Sequence, residues 1–251
     1  MRFFRKFMII VACLAVIFLF SGMPLATSQA ASKGVLKEVV FIHRFAPDDF
    51  GKPYHGKPVA PCTATTNDRI NDWGETGWTM PTGGLKYKIN YNTLPAGISS
   101  NAFESAIAAA TNTWSQADSA QKWTDDGSTT IKRSSYDGVN LVAFGSASGA
   151  IAVTRTWYWT ATGEVAESDM ILSSSLAWSI TNPLSGDCGG VAGTYDVQNI
   201  ATHEFGHQVG LLDLYNSVDK DLTMYGYGYI KELKKSSLGT GDISGARAVA
   251  P

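Results

Sequence analysis

At 251 residues and a formal net charge of −2, the chain has no basic excess with which to grip nucleic acid or a strongly anionic surface. It holds no long charge run or low-complexity tract, and its seven Trp and ten Tyr fit a compact extracellular domain. Once the leader described next is removed, the length suits one domain with a sizeable core.

The first thirty residues read as a secretory signal peptide. Arg2, Arg5 and Lys6 give a basic start, and Phe7–Phe20 is an unbroken apolar run. Ser21, Gly22 and Pro24 end it, and Ser28-Gln29-Ala30 offers small residues for cleavage. The run is shorter than the ~20 residues that cross a bilayer, so no stable membrane anchor is expected. Ile10-Val11-Ala12-Cys13 loosely resembles a lipoprotein box, but it lies inside the apolar run and not after it. The expectation is a secreted, monomeric protein.

Residues 31–75 form an N-terminal extension with one short apolar patch, Val39–Ile42; it is either a pro-segment or a strap over the domain. The domain proper is placed at 76–251. Leu85–Tyr91 alternates with period two, as a half-buried strand does. Phe103, Ile107, Ala110 and Trp114 recur at helical spacing, with Asn101 and Glu104 as an N-terminal capping pair. Short strands are expected at Thr129–Arg133 and Asn140–Phe144, and longer ones at Ile151–Thr160 and Val165–Leu172. Asp196 is positioned to cap a helix from about Val197 to Gly210, and a last helix lies near Asp242–Val249. This order predicts an α+β fold: a twisted, mainly parallel sheet of about five strands with three helices. Beyond the leader the chain holds two cysteines, Cys62 and Cys188, and in an exported protein such a pair predicts one disulfide.

The predicted helix before Gly210 carries the chemistry. His203 and His207 stand four apart, so both imidazoles share one face about a turn from each other, as the first two ligands of a zinc ion require. Glu204 lies between them, placed to take a proton from a metal-activated water. Gly210 tolerates the positive φ that ends a helix, and Asp213 follows as a third, carboxylate ligand. The alternative is an ordinary amphipathic helix with solvent-facing histidines. The downstream residues argue against it.

His203–Asp213 resembles the metzincin zinc signature, His-Glu-x-x-His-x-x-Gly-x-x-His, with Asp in the last place. Met224 in Leu222–Tyr227 is similar to the methionine of that clan's Met-turn. Thr223-Met224-Tyr225, Gly241–Gly245 and Glu167–Met170 look most like the matrixin branch, and the likeness spans residues 76–250. Snapalysin-type enzymes share the Asp ligand. The resemblance implies a metzincin-like fold with an upper sheet subdomain, a cleft and a smaller lower subdomain. It implies one catalytic Zn²⁺ on His203, His207 and Asp213, with Glu204 as general base. Matrixins add a structural zinc on further histidines; here only His43 and His55 remain, both far upstream, so that second zinc is not expected. Cys62 as a latency thiol, as in matrixin pro-segments, is the alternative to the disulfide, although its flanking residues differ from that family's switch.

The implied activity is a secreted zinc endopeptidase acting on proteins or peptides. Tyr225 or Tyr227 would add a phenolic hydrogen bond, unless both rings only pack the turn. Substrate would lie extended along an edge strand, Ile151–Tyr158, with residues 225–232 lining the pocket after the scissile bond. Trp157, Tyr158 and Trp159 either shape that cleft or fill the core. Glu167 and Asp169 are a candidate Ca²⁺ site or solvent-facing strand carboxylates. Two other readings stand beside this one: an exported, non-catalytic binding or cell-surface protein on the same scaffold, and a gluzincin with Glu232 as third ligand.

Overall fold

The computed structural model describes residues 32–46, 70–181 and 189–251. In chain order these form β1 (Leu36–Phe45), β2 (Leu85–Ile89), α1 (Ser100–Ala117), β3 (Trp123–Ser128), β4 (Asn140–Gly145), β5 (Ala152–Trp159) and β6 (Glu164–Ser173). Then come β7 (Trp178–Ser179), β8 (Tyr195–Asp196), α2 (Val197–Val209), β9 (Tyr227–Gly228) and α3 (Thr240–Ala248). Among the described residues no helix is long and apolar enough to cross a membrane. The signal peptide, His55, Cys62 and Cys188 lie outside the described residues.

The fold is α+β, with a mostly parallel seven-stranded sheet ordered β3-β2-β4-β6-β5-β1-β9 and three helices. β2 runs parallel to β3 and β4, and β4 parallel to β6; β5 is antiparallel to both β6 and β1. About five strands were expected and seven are present. The two extra ones are β1 and the two-residue β9, which add on beyond β5. The described residues from Lys33 onward make one compact unit, so β1 of the extension belongs to the folded body. The expected edge strand, β5, therefore has a neighbour on each side.

The main core lies between sheet and helices. Tyr87, Ile89, Val142, Phe144, Met170 and Leu172 from the strands meet Phe103, Ile107, Trp114, Ile200, Phe205 and Val209 from α1 and α2. The α1 stripe read from helical spacing is this core's face, with Phe103, Ile107, Ala110 and Trp114 all buried. Two local readings need correction. Ser99, not Asn101, caps α1, its hydroxyl accepting from the Ala102 N–H, so the helix starts two residues earlier than the capping pair implied. Thr129–Arg133 is not a strand; the preceding segment, Trp123–Ser128, pairs with β2 instead. β3 is an outer strand exposed along almost its whole length, so it carries no alternation for a period-two reading to find.

Glu167 and Asp169 are neither solvent-facing nor open. Asp169 accepts the N–H groups of Leu141 (2.8 Å) and Ser135 (3.1 Å), and Glu167 those of Asp137 and Gly138. The two carboxylates hold the loop before β4, and burial raises the pKa of Asp169 to about 7. Among the described residues neither joins a cluster able to hold a metal ion, so the calcium reading has no support here.

Candidate metal centre

α2 is fixed at both ends by its own sequence. Asp196 caps the start, accepting the Asn199 N–H at 2.9 Å. Gly210 ends it at φ +117°, and a Cβ there would sit 2.5 Å from the Trp78 carbonyl oxygen, so only glycine fits. Beyond it, Leu211 bridges to Glu75 and the Leu212 N–H bonds to the Gly74 carbonyl. That pairing turns the chain back and brings Asp213 over the helix.

Three buried ligand atoms converge there. His203 Nε2 lies 3.1 Å from Asp213 Oδ1, and His207 Nε2 lies 3.6 Å from the same oxygen. The edge of a tetrahedron with metal bonds of about 2.0–2.1 Å is about 3.4 Å, so the spacing fits one ion. His203 Nδ1 sits 2.7 Å from the Thr223 carbonyl and His207 Nδ1 2.8 Å from the Leu211 carbonyl. A carbonyl only accepts, so each Nδ1 carries the proton and each Nε2 keeps its lone pair. His203 Nε2, His207 Nε2 and Asp213 Oδ1 have no hydrogen-bond partner, although all three are buried. Unpaired acceptors this deep are costly unless something positive completes them. His203, His207 and Asp213 can thus hold a metal ion.

The charges suit that role. Burial lowers the His203 pKa to about 4 and moves that of His207 the same way, so both rings are neutral and free to ligate near pH 7. Burial alone would raise Asp213, but the adjacent His207 and His203 hold it down at about 2, keeping it anionic. The Tyr215 hydroxyl donates to its other oxygen at 3.2 Å.

Glu204 faces the same space. Its Oε2 accepts the Thr154 hydroxyl of β5 at 2.5 Å, and its Oε1 meets His43 Nδ1 of β1 at 3.1 Å. Burial pushes its pKa up to about 8, against the opposing pull of the Thr154 bond, so near pH 7 the carboxyl is largely protonated unless a cation beside it lowers that value.

Beneath the histidines, the 222–225 turn is held from below. Asp242 accepts the N–H groups of Thr223 (2.8 Å), Met224 (3.0 Å) and Gly239 (2.8 Å). Lys235, fully buried, donates to the carbonyls of Thr223 and Tyr225. The Thr223 carbonyl therefore orients both Lys235 and His203. Burial lowers the Lys235 pKa to about 8, and a neutral amine still has two N–H groups for its two acceptors. Between pH 8 and 10.5 the unfolded chain binds the proton that the folded one has released, so folding stability from this group rises with pH. Urea unfolding of wild type and Lys235→Met at pH 7.5 and 9.5 should show the wild type gaining relative to the variant at the higher pH. A constant difference would mean that Lys235 does not titrate in the fold.

Tyr225 and Tyr227 stack edge to face at 5.5 Å, and Tyr227 meets Tyr215 likewise at 5.3 Å. Tyr225 also lies 5.8 Å beneath the Lys235 ammonium. The phenol that reaches a candidate ligand is that of Tyr215, which carried no motif signal. His43 and Thr154 were missed for the same reason: both are ordinary strand residues brought to Glu204 by sheet pairing. Glu232 lies apart from the ligand cluster, paired with Lys234 at 3.1 Å and with the Asn199 amide. No protein-family model matches this chain, and no curated protein matches it either.

Proposed function

We propose that this chain is an exported zinc endopeptidase of the metzincin kind, with His203, His207 and Asp213 as metal ligands and Glu204 as its acid–base residue. The observation that carries the reading is the meeting of three buried, unpartnered acceptor atoms, His203 Nε2, His207 Nε2 and Asp213 Oδ1, beside the buried acid Glu204. Two neutral nitrogens and one carboxylate oxygen are a donor set that zinc accepts, with a fourth position open. A zinc ion held there supplies Lewis acidity, polarising a peptide carbonyl and making water acidic.

The protein's own groups do the rest. Glu204 takes the proton of the attacking water on a carboxylate oxygen and returns it to the leaving amine. Thr154 fixes the rotation of that carboxylate, and Thr223 and Leu211 fix the two imidazoles. The charged apolar-run leader supports export.

The test is metal content and cleavage together. Purified protein should hold one chelator-removable zinc per chain, and long incubation with casein should give chelator-sensitive cleavage. Glu204→Gln should keep the zinc and lose ~10³-fold in rate. A protein that binds no zinc, or a Glu204→Gln variant that cleaves as fast as wild type, sinks the reading.

A further inference from the structure

A carboxylate in the third ligand position differs from an imidazole in carrying a second oxygen. Asp213 Oδ1 faces both histidines, 3.1 Å from His203 Nε2 and 3.6 Å from His207 Nε2. Oδ2 hangs on the same carbon and can turn onto the same ion, since carboxylates bind metals through one oxygen or through both. Two carboxylate oxygens and two nitrogens would fill all four places of a tetrahedral zinc and leave none open. What holds Oδ2 therefore decides which arrangement the site takes.

Tyr215 holds it. Its hydroxyl donates to Oδ2 at 3.2 Å. The Arg44 side chain bonds to the same hydroxyl, and a guanidinium only donates, so the phenol oxygen accepts from Arg44 and its single proton goes to Asp213.

The ring is placed by backbone pairing. Leu214, between Asp213 and Tyr215, bridges to Tyr225: its N–H bonds to the Met224 carbonyl and its carbonyl accepts the Gly226 N–H, both at 2.8 Å. That short ladder lays the Tyr215 ring against Gly226. A Cβ at Gly226 would lie 2.5 Å from Tyr215 Cε1 and 2.7 Å from its Cζ, so a larger residue there would push the ring away. Tyr227 meets the ring edge to face at 5.3 Å. Tyr215 is nevertheless 47% exposed, so it fills no core position. Its fixed contact with the ligand is the hydroxyl.

We propose that Tyr215 is a positioning residue that keeps Asp213 a one-oxygen ligand and so keeps the fourth place on the metal open. The inference rests on the zinc reading and adds to it a residue outside the ligand motif. The role belongs to the Asp ligand, because a histidine in that place would have no second oxygen to restrain.

The test is Tyr215→Phe, which removes only the hydroxyl, read with zinc and with cobalt in the metal-depleted full chain. Zinc affinity, by competition with a chelating dye, should fall at least ~10-fold, as for other groups that orient a ligand. Cobalt in the wild type should give the strong visible absorption of a four-coordinate ion. The variant should lose part of that absorption as the freed Oδ2 raises the coordination number. Gly226→Ala, which displaces the ring, should lose it likewise. Superimposable cobalt spectra for wild type and Tyr215→Phe overturn the proposal even if affinity falls, because a loosened loop weakens binding without adding a ligand oxygen. Wild type that binds neither metal removes the zinc reading and this proposal with it. Altered cobalt spectra in a protein that cleaves no casein support the role of Tyr215 and remove the peptidase reading instead.

Discussion

Asp213→Ala is expected to weaken zinc binding at least ~100-fold, because even the loss of a group that only supports a ligand costs 10–100-fold. Asp213 contributes the sole anionic atom of the cluster, 3.1 and 3.6 Å from the two imidazole nitrogens. Its removal leaves two neutral donors for a doubly charged ion. Glu232→Gln should leave zinc affinity unchanged, since Glu232 is engaged by Asn199, Tyr229 and Lys234. Competition titration with a chelating dye separates the two. Zinc retained by Asp213→Ala and lost by Glu232→Gln would mean that the ligand set is wrong and that the gluzincin reading is the better one.

Gly206→Ala should destabilise the protein by ~1–3 kcal/mol and weaken zinc binding, against the usual rule for a helix interior. Replacing glycine by alanine in a helix ordinarily gains about 1 kcal/mol. Here a Cβ would fall 2.2 Å from Met224 Sδ and 2.8 Å from Trp114 Cζ2. Met224 has rotamers with which to yield, but Trp114 is fully buried and tied through its indole N–H to the Thr202 carbonyl at 2.7 Å. The displaced Met224 would carry with it Thr223, whose carbonyl orients His203. Urea unfolding with and without zinc measures both effects. A variant more stable than wild type would show that Met224 does not pack as described.

The glycine inside His-Glu-Phe-Gly-His was visible in the sequence only as an unspecified position of the motif. Its reason, a methionine eighteen residues on and a tryptophan on another helix, needed the packing. Asp242 is similar: it lies in a segment that resembled the matrixin branch, but its three accepted N–H bonds under the turn are a tertiary fact. Glu167 and Asp169 looked like surface carboxylates or calcium ligands because a strand pattern does not say what lies over each face. The loop before β4 lies over that one.

Some features follow from the chain alone because their causes are local. Two histidines one helical turn apart, a capping Asp196 and a helix-ending Gly210 depend on bonds and angles within a few residues of one another. The α1 core stripe follows from helical period in the same way. Other features depended on pairings between distant segments, for which no short-range pattern stands. Asp213 closes on the histidines because Leu211 and Leu212 pair with Glu75 and Gly74 on one side of it and Leu214 pairs with Tyr225 on the other. His43 reaches Glu204 across 161 residues only because β1 takes the register that sets it opposite Ala152. Sheet register is a choice among alternatives of similar local energy, settled by which faces are buried. The shared placement of His203, Glu204 and His207 on one helix is therefore legible locally, whereas the approach of Asp213 and the cover of β1 depend on long-range pairing.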